Sequence, residues 1–317
     1  MNILVTGGAG FIGSHLIQRL LSKGHRVVSV DNMNPYYDPA LKKARLNQFK
    51  KNIVFYQADI ADEKAIEKIF KKHSFDVVCH LAAQAGVRYS LSHPMVYGRS
   101  NYMGTLVILE CAKKYGVANI IFASSSSVYG DTGVMPFEEN APCDKPVSIY
   151  AASKRAGELL CSSYAGLFGM DITALRFFTV YGPWGRPDMA LFSFTENILK
   201  GKPIELYNGG DMRRDFTYID DIIDGFMLVL KKQPKGFGIF NLGRGAPAGL
   251  KDFVTTLESA LGVTAEIINK PMQAGDVHET YASVEKAKRM LGFSPKVLIS
   301  EGIPKFVEWY KSYIAHR

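Results

Sequence analysis

The chain has 317 residues, 47% of them hydrophobic and 21% charged, which suffices for a full core and a second lobe and excludes a disordered chain. Its net charge of +8 would suit a nucleic-acid partner, but the lysines are scattered over predicted helix faces, so we expect no nucleic acid and only some attraction for an anionic small molecule. No apolar run approaches the roughly 20 residues that span a bilayer, no basic leader precedes the first strand, and the four cysteines form no CxxC pair; we therefore expect a cytoplasmic protein with free thiols, no membrane contact and no metal.

Short apolar runs alternate with helical patterns over the first 180 residues. The predicted strands are 2–6, 26–30, 53–57, 76–81, 119–124 and 172–177. The predicted helices are 12–23, 40–50, 62–72, 95–115 and 149–168. This alternation predicts an α/β fold, a Rossmann-type doubly wound parallel sheet with helices on both faces.

Beyond about residue 180 the pattern becomes mixed and is interrupted by glycine and proline. We predict a first domain over residues 1–180, joined by a strand and a helix from the region 215–245. A smaller mixed lobe is predicted over residues 181–317.

A glycine-rich turn follows the first predicted strand, in the sequence Thr6-Gly7-Gly8-Ala9-Gly10-Phe11-Ile12-Gly13. Its backbone N–H groups can face a pyrophosphate at the helix N-terminus, and Gly13 allows the helix to pack closely on the strand. Such turns also occur for structural reasons alone. The position between a strand and a helix predicts dinucleotide binding, with contacts from Gly7, Gly10, Phe11, Ile12 and Gly13.

Asp31 follows the second predicted strand, eighteen residues beyond Gly13. A carboxylate there can accept both hydroxyls of an adenosine ribose and repels a 2′-phosphate, so NAD is favoured over NADP. After the next two strands, Asp59 and Ile60 could flank the adenine, and the run Leu81, Ala82, Ala83 and Gln84 could line the pyrophosphate channel. Ordinary strand-end chemistry would explain either set equally well.

Tyr150 and Lys154 lie four residues apart in SIYAASKRAGE, on a predicted helix. Positions i and i+4 share a helix face, so the ammonium can favour the ionised phenol and make Tyr150 a base near neutral pH. An aromatic ring packed on an aliphatic lysine stem is the alternative interpretation.

Together with His80-Leu81-Ala82-Ala83 and Ser124-Ser125-Ser126-Ser127-Val128-Tyr129-Gly130, the glycine turn and the YxxxK pair resemble the extended short-chain dehydrogenase/reductase family over essentially the whole length. Within that family the chain is most similar to the UDP-glucuronate 4-epimerases. This closer similarity rests on Pro35-Tyr36-Tyr37-Asp38, Leu41-Lys42-Lys43-Ala44-Arg45, the run from Tyr181 to Ala190 and the run from Arg214 to Asp221. The resemblance implies NAD as cofactor for residues 1–180 and a UDP-sugar as substrate for residues 181–317.

The resemblance makes Tyr150 the catalytic base, Lys154 the group that lowers the pKa of the tyrosine while holding the nicotinamide ribose, and Ser125 the hydroxyl that bridges Tyr150 and the sugar. It also adds Asn32 and Asn101 to the cofactor contacts.

Arg186 and Arg214 are the expected cations for the diphosphate, because a guanidinium can grip phosphate oxygens with two hydrogen bonds. Arg88 would face the sugar or its carboxylate, although a surface ion pair is equally consistent with the sequence. Asp276 resembles the carboxylate that accepts from the uridine ribose, in a segment where many relatives carry Pro or Arg around Gly-Asp.

The implied reaction inverts C4 of UDP-glucuronate to give UDP-galacturonate. Tyr150 removes the 4-OH proton as hydride leaves for NAD⁺, the 4-keto sugar turns, and hydride returns to the opposite face. A 4-keto-uronic acid loses CO₂ readily, and this chain has serines where decarboxylating relatives carry acidic residues. We expect Ser125, Ser126, Ser127 and Thr179 to hold the carboxylate out of alignment with the ketone.

Other functions share this pattern: a UDP-glucose/UDP-galactose 4-epimerase, a UDP-glucuronate decarboxylase, or a dinucleotide sensor without activity, although sensors tend to lose the tyrosine or the lysine. The predicted helices 95–115 and 149–168 are apolar on more than one face. In the family this pair forms a four-helix homodimer interface, but burial against the sheet would explain it equally well.

Overall fold

The structure, a computed structural model, describes residues 1–131, 133–272 and 277–315. In chain order the strands are β1 (Asn2–Thr6), β2 (Arg26–Asp31), β3 (Val54–Gln57), β4 (Val77–His80), β5 (Asn119–Ser125), β6 (Asp171–Phe177), β7 (Thr179–Tyr181), β8 (Ile204–Tyr207), β9 (Arg213–Arg214), β10 (Phe216–Tyr218), β11 (Phe237–Leu242), β12 (Ala248–Gly249), β13 (Ile267–Lys270) and β14 (Glu279–Thr280). The α-helices are α1 (Phe11–Ser22), α2 (Pro39–Asn47), α3 (Glu63–Lys72), α4 (Val87–Ser92), α5 (Pro94–Tyr97), α6 (Gly104–Lys114), α7 (Ile149–Phe168), α8 (Ala190–Leu199), α9 (Ile219–Lys232), α10 (Leu250–Leu261), α11 (Glu285–Leu291) and α12 (Ile299–Ala315). Short 3₁₀ segments lie at Lys50–Asn52, Ser126–Tyr129 and Asn208–Gly210, and a π-helical turn at Gly98–Met103.

Within the described part of the chain, the central sheet has seven parallel strands in the order β11-β6-β5-β4-β1-β2-β3. Alternate residues of each strand point to opposite faces, so in β1 Ile3 and Val5 join one core cluster and Leu4 the other. The first cluster includes residues of α1, α2 and α9, and the second includes residues of α3, α6 and α7. The predicted doubly wound α/β fold is confirmed.

The predicted helix 95–115 is instead three consecutive segments, α5, the π-helical turn 98–103 and α6. The long helix α7 agrees with its predicted bounds because both ends are capped. The Ser148 hydroxyl accepts the N–H of Ala151 at 3.0 Å, and Gly169 closes the last turn in the left-handed conformation.

Outside the central sheet, the described chain forms short strands and an aromatic core. β7 pairs with β10, β8 with β13, and β9 lies between β12 and β14. Phe216 and Phe253 stack with ring centroids 4.1 Å apart, and Phe306 of α12 belongs to the same cluster as α1 and α9. This aromatic core is therefore continuous with the apolar cluster on one face of the sheet.

β1 and β4 are neighbours, although the chain leaves β1 towards β2 on one side and leaves β4 towards β5 on the other. The carboxyl ends of parallel strands at such a switch point border an open crevice, which is the usual ligand site of this architecture. The loops after β1, β2, β4 and β5 all open there.

Candidate active site

The glycine turn joins β1 to α1 without room for side chains. Gly7 adopts φ +73°, and a Cβ added there would lie 2.8 Å from the Ala82 nitrogen. A Cβ on Gly13 would lie 2.2 Å from the Gly7 carbonyl oxygen. This close backbone approach leaves the N-terminus of α1 open to the crevice, as a bound pyrophosphate requires.

Asp31 lies at the end of β2 with its carboxylate fixed by the backbone. It accepts the N–H of Ala9 at 3.1 Å and that of Met33 at 2.9 Å. A carboxylate oxygen has a second lone pair, so the group can still accept the two hydroxyls of a ribose. Both Asp31 and Asn32 line the crevice.

His80 is a buried connector rather than an acid or base, since burial and the charge of Lys154 lower its pKa to about 3. The Thr105 hydroxyl donates to the Asn101 carbonyl oxygen, so Nε2 of His80 must donate to Thr105 at 3.1 Å, and Nδ1 accepts from the Thr6 hydroxyl at 2.7 Å. Thr6 in turn accepts the N–H of Ala82 at 3.0 Å. The His80 motif thereby fixes the loop after β4 against the glycine turn.

The structure brings sixteen of the predicted residues to one crevice. They are Gly7, Gly10, Phe11, Ile12, Gly13, Asp31, Asn32, Ile60, Leu81, Ala82, Ala83, Gln84, Ser125, Tyr150, Lys154 and Arg186. Sequence reasoning missed several side chains that line the same crevice, among them Asn34, Tyr36, Tyr37, Lys42, Ser124 and Met189. Four of the six lie in the loop after β2 (Asn34, Tyr36, Tyr37) and in α2 (Lys42). Three of these four belong to the family-like runs 35–38 and 41–45, which were the available sequence signal.

Tyr150 sits in the first turn of α7, where the positive end of the helix dipole favours an anion. Burial raises the pKa of the phenol, while hydrogen bonding to Ser125 and the charge of Arg186 lower it, and Asp188 opposes them. Burial is the largest of these influences, so the pKa of Tyr150 lies above its ordinary value. A cation placed beside the phenol lowers that pKa, because it stabilises the ionised form.

Lys154 is buried one turn further along α7, and its ammonium donates to the Ala123 carbonyl oxygen at 2.7 Å. Burial lowers its pKa to about 8. The predicted i, i+4 pair thus lies on the crevice wall with the lysine bonded to β5. The prediction that Lys154 lowers the pKa of Tyr150 stays a prediction.

The serine run after β5 is tied together. The Ser125 hydroxyl donates to that of Ser127 at 3.1 Å and accepts the Ser127 N–H at 3.2 Å. Ser126 and Ser127 are half-buried in the 3₁₀ segment, and Thr179 is half-buried at the start of β7. Their predicted contact with a carboxylate stays a prediction.

Behind this run, Ser124 donates to the buried Glu158 carboxylate at 2.6 Å. Arg176 grips the same carboxylate with two hydrogen bonds of 2.8 Å each. Burial acts to raise the pKa of Glu158, but the hydrogen bonds and charge of Arg176 outweigh it and hold the pKa below its usual range.

Arg186 lies in the loop of residues 182–189, called here the Trp184 loop. Its guanidinium pairs with Asp188 through Nε at 3.0 Å and through Nη2, and Asp188 also accepts the Tyr36 hydroxyl at 3.0 Å. Arg186 lines the same crevice as Tyr150, and its positive charge lowers the pKa of that phenol. Its predicted contact with the diphosphate stays a prediction.

Three predicted residues do not line this crevice and have contacts elsewhere. Asp59 accepts the N–H of Ala61 at 2.9 Å and pairs with Arg99. The Arg88 guanidinium lies over the Tyr207 ring at 4.6 Å, and Arg214 donates to the carbonyl oxygens of Arg213 and His278.

Asn101, in the π-helical turn, bonds the backbone of Gln84 through both ends of its amide and donates to Ser153 at 2.8 Å. It therefore connects the loop after β4 to α7. Asp276 lies outside the described residues.

In residues 1–131, 133–272 and 277–315, no group of three or more His, Cys, Asp and Glu side chains is arranged to hold a metal ion. Over the same ranges, no helix combines the length and apolarity needed to cross a bilayer.

A glycine turn at the switch point of a doubly wound sheet, with tyrosine, lysine and serine at neighbouring strand and helix ends, defines the class of dinucleotide-dependent short-chain dehydrogenase/reductase enzymes. The chain belongs to the NAD dependent epimerase/dehydratase family, whose model matches residues 3–243.

Similar proteins share nearly the whole chain. The UDP-glucuronate 4-epimerase of Thermodesulfobacterium geofontis is 45% identical over 98% of this chain and 96% of its own length. The UDP-glucuronic acid 4-epimerase of Bacillus cereus, solved with UDP-glucuronic acid and NAD, matches with a TM-score of 0.93 and 35% identity over 99% of this chain and 100% of that one. The UDP-glucose 4-epimerase of Thermotoga maritima, solved with UDP-glucose, matches with a TM-score of 0.91 and 36% identity over 99% and 100%.

Proposed function

We propose that the protein is an NAD-dependent UDP-glucuronate 4-epimerase that forms UDP-galacturonate without decarboxylation. The observation that carries this proposal is the full-length similarity to a named UDP-glucuronate 4-epimerase at 45% identity, together with a crevice in which Tyr150, Ser125 and Arg186 meet.

The residues present fit NAD. The glycine turn leaves a cradle that a Cβ at Gly7 or Gly13 would fill, and Asp31 presents a fixed carboxylate for ribose hydroxyls. When bound, NAD⁺ accepts hydride from C4 of the sugar and returns it. Asn32, Ile60 and the run 81–84 would line its path, with Asp59 beside the adenine and Asn101 holding the loop that carries Gln84.

Tyr150 is the base that takes the 4-OH proton onto its phenol oxygen and later returns it to the C4 oxygen, when hydride is returned to the opposite face of C4. Ser125 orients the sugar hydroxyl, and its hydrogen bond favours the phenolate. Arg186 favours it as well, through its charge. Lys154, held by Ala123, would reach the nicotinamide ribose from the wall of the crevice.

The substrate carboxylate would be held by neutral donors at the reacting end, namely Ser125, Ser126, Ser127 and Thr179. Neutral hydroxyls fix an anion without supplying an acid for C5. The cation Arg186 lies at this same end, so it can serve the carboxylate as well as the adjoining phosphate.

The uridine diphosphate would extend over the smaller lobe. Arg88 and Arg214 are the proposed cations on the rim, and Asp276 is the proposed ribose acceptor. This division gives residues 1–180 with the region 215–245 to NAD, and the rest of residues 181–317 to the UDP-sugar.

We further propose a homodimer through the outer faces of the π-helical turn and α7. Exposed apolar side chains occur on both, including Tyr102, Met103, Leu159 and Leu167, the last with 74% of its surface exposed. A second copy of this chain would cover them with the same residues, as a two-fold interface requires. Size-exclusion chromatography with light scattering should give a dimer that Leu167→Glu dissociates; a monomeric wild type would refute this.

All four cysteines are buried and free, which suits a reducing compartment. Cytoplasmic location is therefore part of the proposal, and fractionation of cells that express the protein would test it.

A second candidate is a UDP-glucose 4-epimerase, favoured by the structural match to the Thermotoga maritima enzyme. A cation beside Tyr150 instead favours an anionic sugar. The two candidates predict opposite orders of kcat/KM for UDP-glucuronate and UDP-glucose.

The deciding experiment incubates purified protein with UDP-glucuronate and separates the epimer from any UDP-pentose by ion-exchange chromatography. We expect UDP-galacturonate, formed about 10²–10⁴-fold more slowly by Tyr150→Phe because the general base is lost. A pentose product or a preference for UDP-glucose would refute the assignment.

A further inference from the structure

Arg45 of α2 is fully buried, with 0% of its surface exposed. Its guanidinium donates to the Trp184 carbonyl oxygen at 3.0 and 2.7 Å, to Gly185 O at 2.9 Å, to Ala9 O at 3.2 Å and to the Tyr37 hydroxyl at 2.6 Å. Within the described part of the chain these acceptors are all neutral oxygens, whereas the equally buried Arg176 bonds a carboxylate. Burying a cation without a paired anion destabilises a protein. The interactions that Arg45 makes with the groups it joins must therefore offset this cost.

Those groups belong to both halves of the crevice. Ala9 is part of the glycine turn, while Trp184 and Gly185 immediately precede Arg186. The contacts with Trp184 and Gly185 span 139 and 140 residues of sequence. A single guanidinium therefore fastens the cofactor end to the Trp184 loop.

The Trp184 loop needs such a fastening. Trp184 has φ +61°, a left-handed conformation that is strained for a bulky residue. Its ring packs on Trp309 at 5.1 Å and on Tyr313 at 5.4 Å, and its carbonyl oxygen takes two of the Arg45 hydrogen bonds. These contacts hold the backbone that presents Arg186.

The segment that contains Arg45 also contacts side chains of the Trp184 loop. Tyr36, nine residues before Arg45, donates to Asp188, and Asp188 grips Arg186. Arg186 is thus set through its backbone by Arg45 and through its side chain by Tyr36 and Asp188.

We propose that Arg45 is a positioning residue that locks the Trp184 loop onto the glycine turn, so that Arg186 stands beside Tyr150 and the sugar site forms only on an ordered cofactor turn. This inference rests on the proposed function for its kinetic test, but its spectroscopic test does not.

The test variant is Arg45→Lys, which keeps the charge and loses the planar fork. Arg289→Lys, at an exposed position on α11, is the matched control. Trp184 and Trp309 are the only tryptophans in the sequence and their rings pack together, so acrylamide quenching of intrinsic fluorescence reports on the Trp184 loop and its contact with α12.

At a temperature where all variants remain folded, Arg45→Lys should make the tryptophans more accessible to acrylamide. It should also raise KM for UDP-glucuronate about tenfold or more with a smaller change in kcat, because charge-assisted hydrogen bonds to the loop are lost. A residue that served only the stability of the core would lower the melting temperature and leave native-state quenching and KM unchanged. That pattern would overturn the proposal.

Tyr37→Phe decides the question if Arg45→Lys does not fold, since it removes one Arg45 contact and keeps the ring. We expect more quenching than in wild type and a KM about fivefold higher; wild-type values for both would overturn the proposal. If the wild-type protein were inactive, the proposed function would be refuted but the role of Arg45 would not. The quenching measurement needs no activity, so it would still test whether Arg45 holds the Trp184 loop.

Discussion

Replacing Glu158 by glutamine should destabilise the protein by about 3–5 kcal/mol, because Arg176 would keep its charge in the interior without a counter-ion. The pair joins α7 to β6 with side chains that are 0% and 1% exposed, and Arg155 adds a further contact to the carboxylate at 3.1 Å. For a chain of 317 residues, this loss corresponds to a fall in melting temperature of about 5–8 °C.

The matched control is Glu196→Gln, which breaks the exposed pair with Lys200 on α8. An exposed pair of this kind contributes about 0.3–0.5 kcal/mol, so the control should melt within about 1 °C of wild type. The double variant Glu158→Leu with Arg176→Met removes both charges and should recover much of the stability lost in Glu158→Gln.

The assay is thermal unfolding followed by circular dichroism at pH 7, where the carboxylate is ionised. Because the pKa of Glu158 is lowered in the folded protein, its contribution is complete above the unfolded pKa and disappears as pH falls through the folded value. The difference in melting temperature between Glu158→Gln and wild type should therefore become smaller as the pH falls. This reasoning would be refuted if Glu158→Gln lowered the melting temperature no more than Glu196→Gln does. It would also be refuted if the double variant lost as much stability as the sum of its two single changes.

Three further changes test the site itself. Gly13→Ala should abolish NAD retention, measured by absorbance of nucleotide released on denaturation, because the new methyl would lie 2.2 Å from the Gly7 carbonyl oxygen; full retention would contradict the cradle. Ser127→Ala should add UDP-pentose to the products on chromatography, because one donor to the carboxylate is lost, and an unchanged product ratio would count against carboxylate control. Arg186→Met should raise the pKa of Tyr150, since a positive charge that lowers it is removed, so kcat at saturating substrate should begin to rise at a higher pH than in wild type; an unmoved profile would exclude this coupling.

The fold was accessible from the sequence because buried parallel strands leave apolar runs and capped helices leave clear ends. Ser148 and Gly169 bound α7 as local signals, and the glycine turn is readable because close backbone contact excludes any side chain. The three-part helix over 94–114 was not predicted, since a π-helical turn keeps nearly the same apolar periodicity.

The site was accessible only in part. Tyr150 and Lys154 have the predicted spacing, but the pKa of Tyr150 depends on burial and on Arg186, 36 positions further along the chain, and spacing reveals neither. The role proposed for Arg45 rests on backbone oxygens of distant loops. Every residue has such an oxygen, so the sequence does not reveal which of them Arg45 contacts.

The last strand of the central sheet, β11, follows the short strands β7 to β10 in the chain and pairs with the much earlier β6. During synthesis on the ribosome, β6 must therefore wait with one edge unpaired until Leu242 has emerged. An unpaired parallel strand edge is prone to aggregate, so nascent chains that stall before this point are the ones most in need of a chaperone.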